Sequence, residues 1–422
     1  MNLKHAAAAL ALTSLVAAGA AQAAPKEITV AIASTFTTLD PYDASDTLSQ
    51  TASKSFYEGL FTFDKDMKVI DALATDYKVS DDGLVYTVTL RKGVKFHDGS
   101  EFQADAVKAN FDRVTNKANG LKRYMLYQNI EKTEVVDPYT VRFTLKKPFS
   151  SFINQLAHPA GVMICPSTLA NKTNKQIAFE PCGTGPYTLD KYNPSEGMRV
   201  VKNPNYWQAG FPKLDAINWK PVVENSTRVA MLLTGEAQFA FPLPAEQVKQ
   251  VQGKDQVRLD ITPSIILRYV EMNMSKKPFQ DKRVREALNY AINKEALCKV
   301  AFAGYADPAT GYAPAAIDFA EKLGPWPYDP KKARELLKEA GYGSGLTINL
   351  WSGYNHTTAQ KVIQFLQQQL AQVGVKSNIR ALEAGQRTAL VESVPTPDKS
   401  QHDLYYIGWS SSTGELDYAI RP

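Results

Sequence analysis

The sequence predicts an α/β protein of at least two domains, and three observations carry that prediction. The chain is 422 residues long with 44% hydrophobic residues, enough to bury separate cores. Its second half alternates strand and helix patterns in the order β-α-β-α-β, which builds a mainly parallel sheet. Its first half is strand-rich, and the stretch from about 59 to 180 reads as an α+β insertion within a larger domain.

At the N-terminus, Lys4 precedes an apolar run from Ala6 to Ala18, and Ala21-Gln22-Ala23 stands before Ala24. That pattern is a secretory signal peptide over residues 1–23. Its apolar core is too short for a membrane span, and no later segment is long and apolar enough to be one. No cysteine follows the cleavage site, so the mature protein is expected to lack a lipid anchor and to be soluble outside the cytoplasm.

"EITVAIAST" (27–35) alternates as a strand and runs into the loop "FTTLDPYD". "GLVYTVTLRKGVKF" (83–96), entered from Asp82-Gly83, has hairpin-like alternation. "ADAVKANFDRV" (104–114) places Ala106, Val107, Phe111 and Val114 at helical spacing, and "TVRFTLKKPF" (140–149) returns to strand.

Further on, Val284, Ala287, Leu288, Ala291 and Ile292 stripe one helix face. In "YDPKKARELLKEAGYG", Asp329 is the N-cap, Pro330 the first helical residue and Gly341 the stop. The strand "LTINLW" (346–351), the loop "SGYNH" and a helix from about Thr357 to Val373 follow. The strand "VKSNIRAL", a short helix near 384–393 and the strand "DLYYIGW" complete the alternation.

The net charge of +5 is mild, and Lys and Arg are scattered with no basic run, which argues against nucleic-acid binding. Three cysteines are present, Cys165, Cys182 and Cys298. Two readings stand: a disulfide between Cys165 and Cys182, or three small buried thiols. The five histidines are far apart and no Cys/His cluster has metal-ligand spacing, so no metal or cofactor is expected.

The short signatures of nucleophilic, metal and phosphate chemistry are missing. "GTGPY" (183–187) resembles a phosphate loop, but Pro186 removes an N–H and no Lys follows, so a turn between strands is expected. His97, before Asp98-Gly99, reads as a structural histidine.

What the sequence does offer is loops suited to a small polar ligand. If "LTINLW" and "DLYYIGW" share a parallel sheet, Tyr354-Asn355-His356 and Ser410 to Asp417 emerge on one edge, where α/β proteins bind ligands. The helix starting near Thr357 aims free N–H groups there, a carboxylate site, and Trp409 presents an aromatic wall. The alternative is that Trp409 is core and the serines are solvated turn residues.

"LRKGVKFHDGSEFQADAVKANFDR", "GTGPY", "VREALNYAINKEAL" and "WPYDPKKARELLKEAGY" together resemble the peptide class (family 5) of extracytoplasmic solute-binding proteins of ABC importers. Within the class, "FTTLDPYDASDTLSQ", "LKRYMLYQNI", "TGEAQFAFPLP", "KVAFAGYADPATG", "HTTAQKV" and "GWSSSTGE" are most similar to its glutathione-binding members. The resemblance implies a two-lobed, type II periplasmic-binding fold of three domains. Domain I would be 24–58 with 181–264, domain II the insertion 59–180, and domain III 265–422. It also implies a periplasmic monomer that hands its ligand to a membrane permease and is no enzyme. Family members continue beyond "GWSSSTGELDYAIRP", so the chain resembles one incomplete at its C-terminus.

The ligand contacts implied are the loop Phe36, Thr37 and Thr38, the loop after "LW", and the segment after "GW" with Ser410, Ser412, Thr413, Glu415 and Asp417. Peptide binders of this class commonly carry an Asp three residues after that Trp for the peptide ammonium; here the position is Ser412. Glutathione presents an ammonium and a carboxylate on one carbon and a second carboxylate on its glycine. Arg268, Arg387 and the helix N-terminus near His356 are the candidate carboxylate anchors, and Glu415 or Asp417 the candidate ammonium partner. Other short peptides are the alternative ligands, then nickel chelates or haem; a secreted hydrolase is the alternative from another class.

Overall fold

In the strand Glu27–Ile32, Val30, Ala31 and Ile32 are buried, which places this strand inside a sheet. The computed structural model describes residues 26–420 except residue 316, so the signal peptide expected at 1–23 lies outside the described residues. Glu27–Ile32 pairs in parallel with both Ala216–Pro221 and Phe239–Phe241, and Gly197–Lys202 and Tyr187–Asn193 extend the sheet antiparallel. A second, antiparallel sheet orders Ala74–Val79, Val85–Leu90, Thr140–Leu145 and Ile130–Asp137. The helix Ala104–Thr115 packs on it, burying the expected apolar stripe together with Asn110. Asn110 is satisfied on both sides by the Ile164 backbone, at 2.9 and 3.0 Å. These two sheets share one core, which forms the first lobe.

The second lobe is built on a separate core. Its sheet orders Ile266–Met272, Leu404–Ser410, Leu346–Ser352 and Val375–Ala381. The last three are parallel neighbours, as the β-α-β-α-β pattern predicts, but Ile266–Met272 runs antiparallel to Leu404–Ser410. Two of the three pairings are thus parallel, the mainly parallel sheet expected, and Ile266–Met272, which lies outside the alternating run, adds one antiparallel edge strand. Among the described residues no helix is long and apolar enough to cross a membrane.

Local departures from the sequence reading have backbone causes. In 83–96 only Val85–Leu90 is strand; Gly93, at φ +76°, turns the chain, and Val94, Phe96 and Phe102 then fill the core as loop residues. The strand at 140 ends at Leu145, ahead of Pro148, which has no N–H to donate. The short helix near 384–393 is Ala384–Arg387 followed by a π-helical turn, Thr388–Glu392.

"GTGPY" is not the expected turn between strands but a packing loop between the helix Asn174–Ile177 and the strand Tyr187–Asn193. A Cβ at Gly183 would lie 2.3 Å from the Phe56 carbonyl oxygen, so only glycine fits that approach. His97 locks the same loop: its Nδ1 accepts from Gly183 N at 3.3 Å and its Nε2–H donates to Gly185 O at 2.9 Å. This is the structural role expected for it. Next to the loop, Cys165 and Cys182 form a disulfide with Cα atoms 5.4 Å apart, while Cys298 is a free, partly buried thiol.

Candidate functional site

The register Ser352↔Tyr406 makes Leu346–Ser352 and Leu404–Ser410 parallel neighbours, so the loops after both strands leave the sheet on one edge. In the first loop, Ser352 Oγ accepts from Tyr354 N at 3.1 Å and donates to Tyr354 O at 2.7 Å, closing a tight turn. That turn sets the Tyr354 ring against Tyr406, and its hydroxyl accepts from Gly408 N at 3.1 Å. Opposite Gly408, Arg268 lays its guanidinium 4.6 Å from the centre of the Tyr354 ring. Only glycine permits this, since a Cβ at 408 would stand 2.7 Å from Arg268 Nη1. Arg268 is exposed and has no hydrogen bond or ion pair among the described residues.

His356 lies beside Tyr354, with ring centres 5.6 Å apart. It is the N-cap of the helix Thr357–Ala371, and its Nδ1 accepts the Ala359 amide at 3.2 Å. The free helix N-terminus of the sequence reading is therefore already part-filled by a ring. Desolvation and the Arg268 charge hold the His356 pKa below its usual value, so the ring is neutral and offers Nε2–H. Asn355 is exposed, its carbonyl accepting from Gln360. Arg387 lies close by: a Cβ at Gly353 would be 3.5 Å from its Cδ.

The second loop does something the sequence did not reveal. Trp409 stacks on Tyr418, with ring centres 5.6 Å apart, and its indole N–H donates to Tyr418 O at 3.1 Å. Trp409 is thus half of an aromatic pair and half-buried. Ser410 Oγ and Ser412 Oγ are bonded to each other at 2.9 Å. Beyond them the chain crosses to the first lobe. Asn154 donates to the Thr413 carbonyl at 2.8 Å, Ser151 donates to the Glu415 carboxylate, and Gly414 packs beside Phe63 and Met67. Thr413 and Glu415 are buried at this junction, while Asp417 is half-exposed in the helix Leu416–Ile420. Thr413 Oγ1 and the neighbouring Ser411 Oγ are buried without a hydrogen-bond partner among the described residues.

On the first lobe, Phe36 is buried against Trp219 and Tyr192, and Thr38 is buried, its hydroxyl accepting from Asp40 N at 3.0 Å. Thr37 is exposed, with its hydroxyl donated to Asp46 and its amide to Ser49 Oγ at 2.9 Å. Asp40 forms a buried, two-pronged ion pair with Arg113 of the first-lobe helix. The structure thus gathers Arg268, Tyr354, His356 and Arg387 at one edge. It sets Thr413 and Glu415 against the first lobe and leaves Phe36 and Thr38 as support for their own loop. Ser151, Asn154 and Tyr418 are contacts the sequence reading missed; partners 259 and 264 residues apart leave no local pattern.

His158 sits under Tyr418, fully buried. Burial, and then the charge of Arg123, hold its pKa well below the usual value, so the folded protein keeps it neutral. Once unfolded, the ring protonates near its ordinary value of about 6.5. The stability tied to this group is complete above that pH and is lost as the pH falls toward the folded pKa, by up to about 1.4 kcal/mol per pH unit. His158→Asn, which can still accept from Ala160 N, should flatten the acid limb of urea midpoints measured from pH 7.5 to 5.5. An unchanged slope would show that the proton is taken up elsewhere.

Residues 68–422 match the family model described as bacterial extracellular solute-binding proteins, family 5 middle. Over 415 residues the chain is 60% identical to the glutathione-binding protein GsiB of Salmonella choleraesuis, spanning 98% of this chain and 80% of that protein. Among solved structures, it resembles the periplasmic binding protein DppA of Helicobacter pylori in complex with the peptide STSA. The TM-score is 0.83 at 29% identity, over 93% of this chain and 80% of the other. The dipeptide-binding protein of Pseudoalteromonas sp. SM9913, in complex with Met-Leu, gives a TM-score of 0.84 at 26% identity, over 93% and 82%.

Proposed function

The chain belongs to the bacterial extracellular solute-binding proteins of family 5, and from that membership we propose that it is the periplasmic glutathione-binding component of an ABC importer. It captures its ligand between two lobes and delivers it to a membrane permease without chemical change. The observation that carries this reading is the 60% identity to a glutathione-binding protein along 98% of the chain.

The site chemistry supports it. Ser412 puts no carboxylate where the peptide ammonium is commonly held, so an ordinary peptide loses its amine anchor. Arg268 meets a ligand carboxylate without first breaking a protein ion pair, and the neutral His356 adds a donor beside it. Tyr354 supplies an aromatic floor under the guanidinium. Asp417, half-exposed, answers the ammonium, since Glu415 is buried and accepts from Ser151. A ligand that touches both lobes favours the closed arrangement, since only differential affinity shifts a conformational equilibrium. The protein acts as a monomer in this scheme.

Calorimetry against glutathione, its disulfide and a few dipeptides tests the reading. Glutathione should bind and be recovered uncleaved; binding of dipeptides without glutathione would overturn it. Arg268→Ala should weaken glutathione by about 1.5–3 kcal/mol, tenfold or more, through loss of a charge-assisted contact. Affinity within twofold of the parent would make Arg268 scaffold.

A further inference from the structure

We infer that Arg123 is the first lobe's anchor for a carboxylate of the bound tripeptide, an inference that rests on the glutathione reading above. Arg123 lies in "LKRYMLYQNI" (121–130), a stretch to which the site described so far assigns nothing. Its backbone N–H donates to Tyr42 O at 3.1 Å, which ties it to the chain that continues from the Phe36–Thr38 loop. Its guanidinium is held from behind by one carbonyl: Nε and Nη2 donate to Ala44 O at 3.0 and 2.7 Å. From the front, Nη1 donates to the Tyr418 hydroxyl at 3.3 Å. Tyr418 is the residue whose ring covers Trp409 of the other lobe. Arg123 therefore stands between the two ligand loops, one from each lobe.

The charge balance at this point is unusual. A guanidinium has five N–H donors. Three are used, all on neutral oxygens, and no carboxylate pairs with Arg123 among the described residues. Burial raises the Tyr127 hydroxyl well above its usual pKa and holds the His158 ring well below its own, so neither carries a negative charge to offset it. His158 adds a second unused donor. Its Nδ1 accepts from Ala160 N at 3.0 Å, so the proton is on Nε2, which is buried without an acceptor. A half-buried cation and a neutral N–H donor at a lobe junction, with no anion of their own, fit an incoming carboxylate. The contact to the Tyr418 hydroxyl is long and neutral, so a carboxylate replaces it at small loss. Arg268 on one lobe and Arg123 on the other then divide the two carboxylates of the ligand, which explains how a tripeptide with two acids bridges the lobes.

The test is a binding cycle by calorimetry on the whole protein. It uses glutathione and two analogues, one amidated at the glycine carboxylate and one at the γ-glutamyl α-carboxylate. The parent should lose about tenfold or more on each amide. Arg123→Gln should bind glutathione about tenfold or more weakly and become indifferent to one of the two amidations, which identifies the acid it holds. Arg268→Ala should become indifferent to the other. Thermal melting controls for folding. If Arg123→Gln is unstable, Arg123→Lys serves: it keeps the charge but not the fork, and should show a smaller loss with the discrimination retained. Glutathione affinity of Arg123→Gln within twofold of the parent, or weaker binding with both amide penalties intact, overturns the inference and leaves the glutathione reading standing. A parent that binds no glutathione overturns that reading and this inference with it.

Discussion

Asp40→Ala should destabilise the first lobe by about 3–5 kcal/mol, the usual cost of removing one partner of a buried ion pair. The Asp40 side chain is 1% exposed and that of Arg113 is 9% exposed. Without the carboxylate, the guanidinium keeps Asn174 Oδ1, at 2.8 Å, as its only side-chain acceptor among the described residues. The loss extends beyond the pair. Asp40 Oδ1 also accepts from Tyr42 N at 3.0 Å, and its carbonyl accepts from Asp43 and Ala44. The same residue therefore shapes the loop that leads from Phe36–Thr38 to the carbonyl holding Arg123. Urea midpoints for Asp40→Ala and Asp40→Asn, with glutathione affinity measured on each, would separate the terms. Asn keeps an acceptor for Tyr42 N and should lose less stability. A loss below about 1 kcal/mol for Ala would mean that the lobe relaxes to solvate Arg113, and the pair would then not be what orders the loop.

Removing the disulfide with Cys165→Ser and Cys182→Ser should cost about 3 kcal/mol. The bond closes a loop across a separation of 17 residues, and a loop of this size restricts the unfolded chain by about that amount. Its position adds to the effect. Cys165 is fully buried, its amide donates to Cys182 O at 2.9 Å, and the Gly183–Gly185 segment packed on Phe56 follows directly. Reductant should lower the denaturation midpoint of the parent to that of the double variant and leave the double variant unmoved. Equal midpoints with and without reductant in the parent would show that the bond contributes nothing at equilibrium.

Much of the second lobe was legible because its signals are local. Asp329 does cap its helix, accepting from Lys331 and Lys332 N, and Pro330 is its first residue. The buried stripe Val284, Ala287 and Leu288 follows helical spacing, and the strands at 346, 375 and 404 follow from alternation with helices between them. From these, one sheet edge carrying both the Tyr354 and Trp409 loops follows directly. The direction of Ile266–Met272 was not legible, because strand pairing between residues more than 130 positions apart has no periodic signature.

What the sequence by itself determined is therefore the set of elements, the two-lobed family architecture, and the loops where polar and aromatic side chains collect. Capping, periodicity and turn chemistry act over a few residues and can be read in order. Only the tertiary structure decided what those side chains do. Glu415, an open acid in the sequence, is buried against Ser151, and Trp409 is paired with Tyr418. The helix N-terminus is capped by His356, and among the described residues Arg268 and Arg123 have no carboxylate of their own. Whether a charged group is spent or available depends on its desolvation and its nearest partner in space. Both are set by folding across hundreds of residues, which no local pattern records.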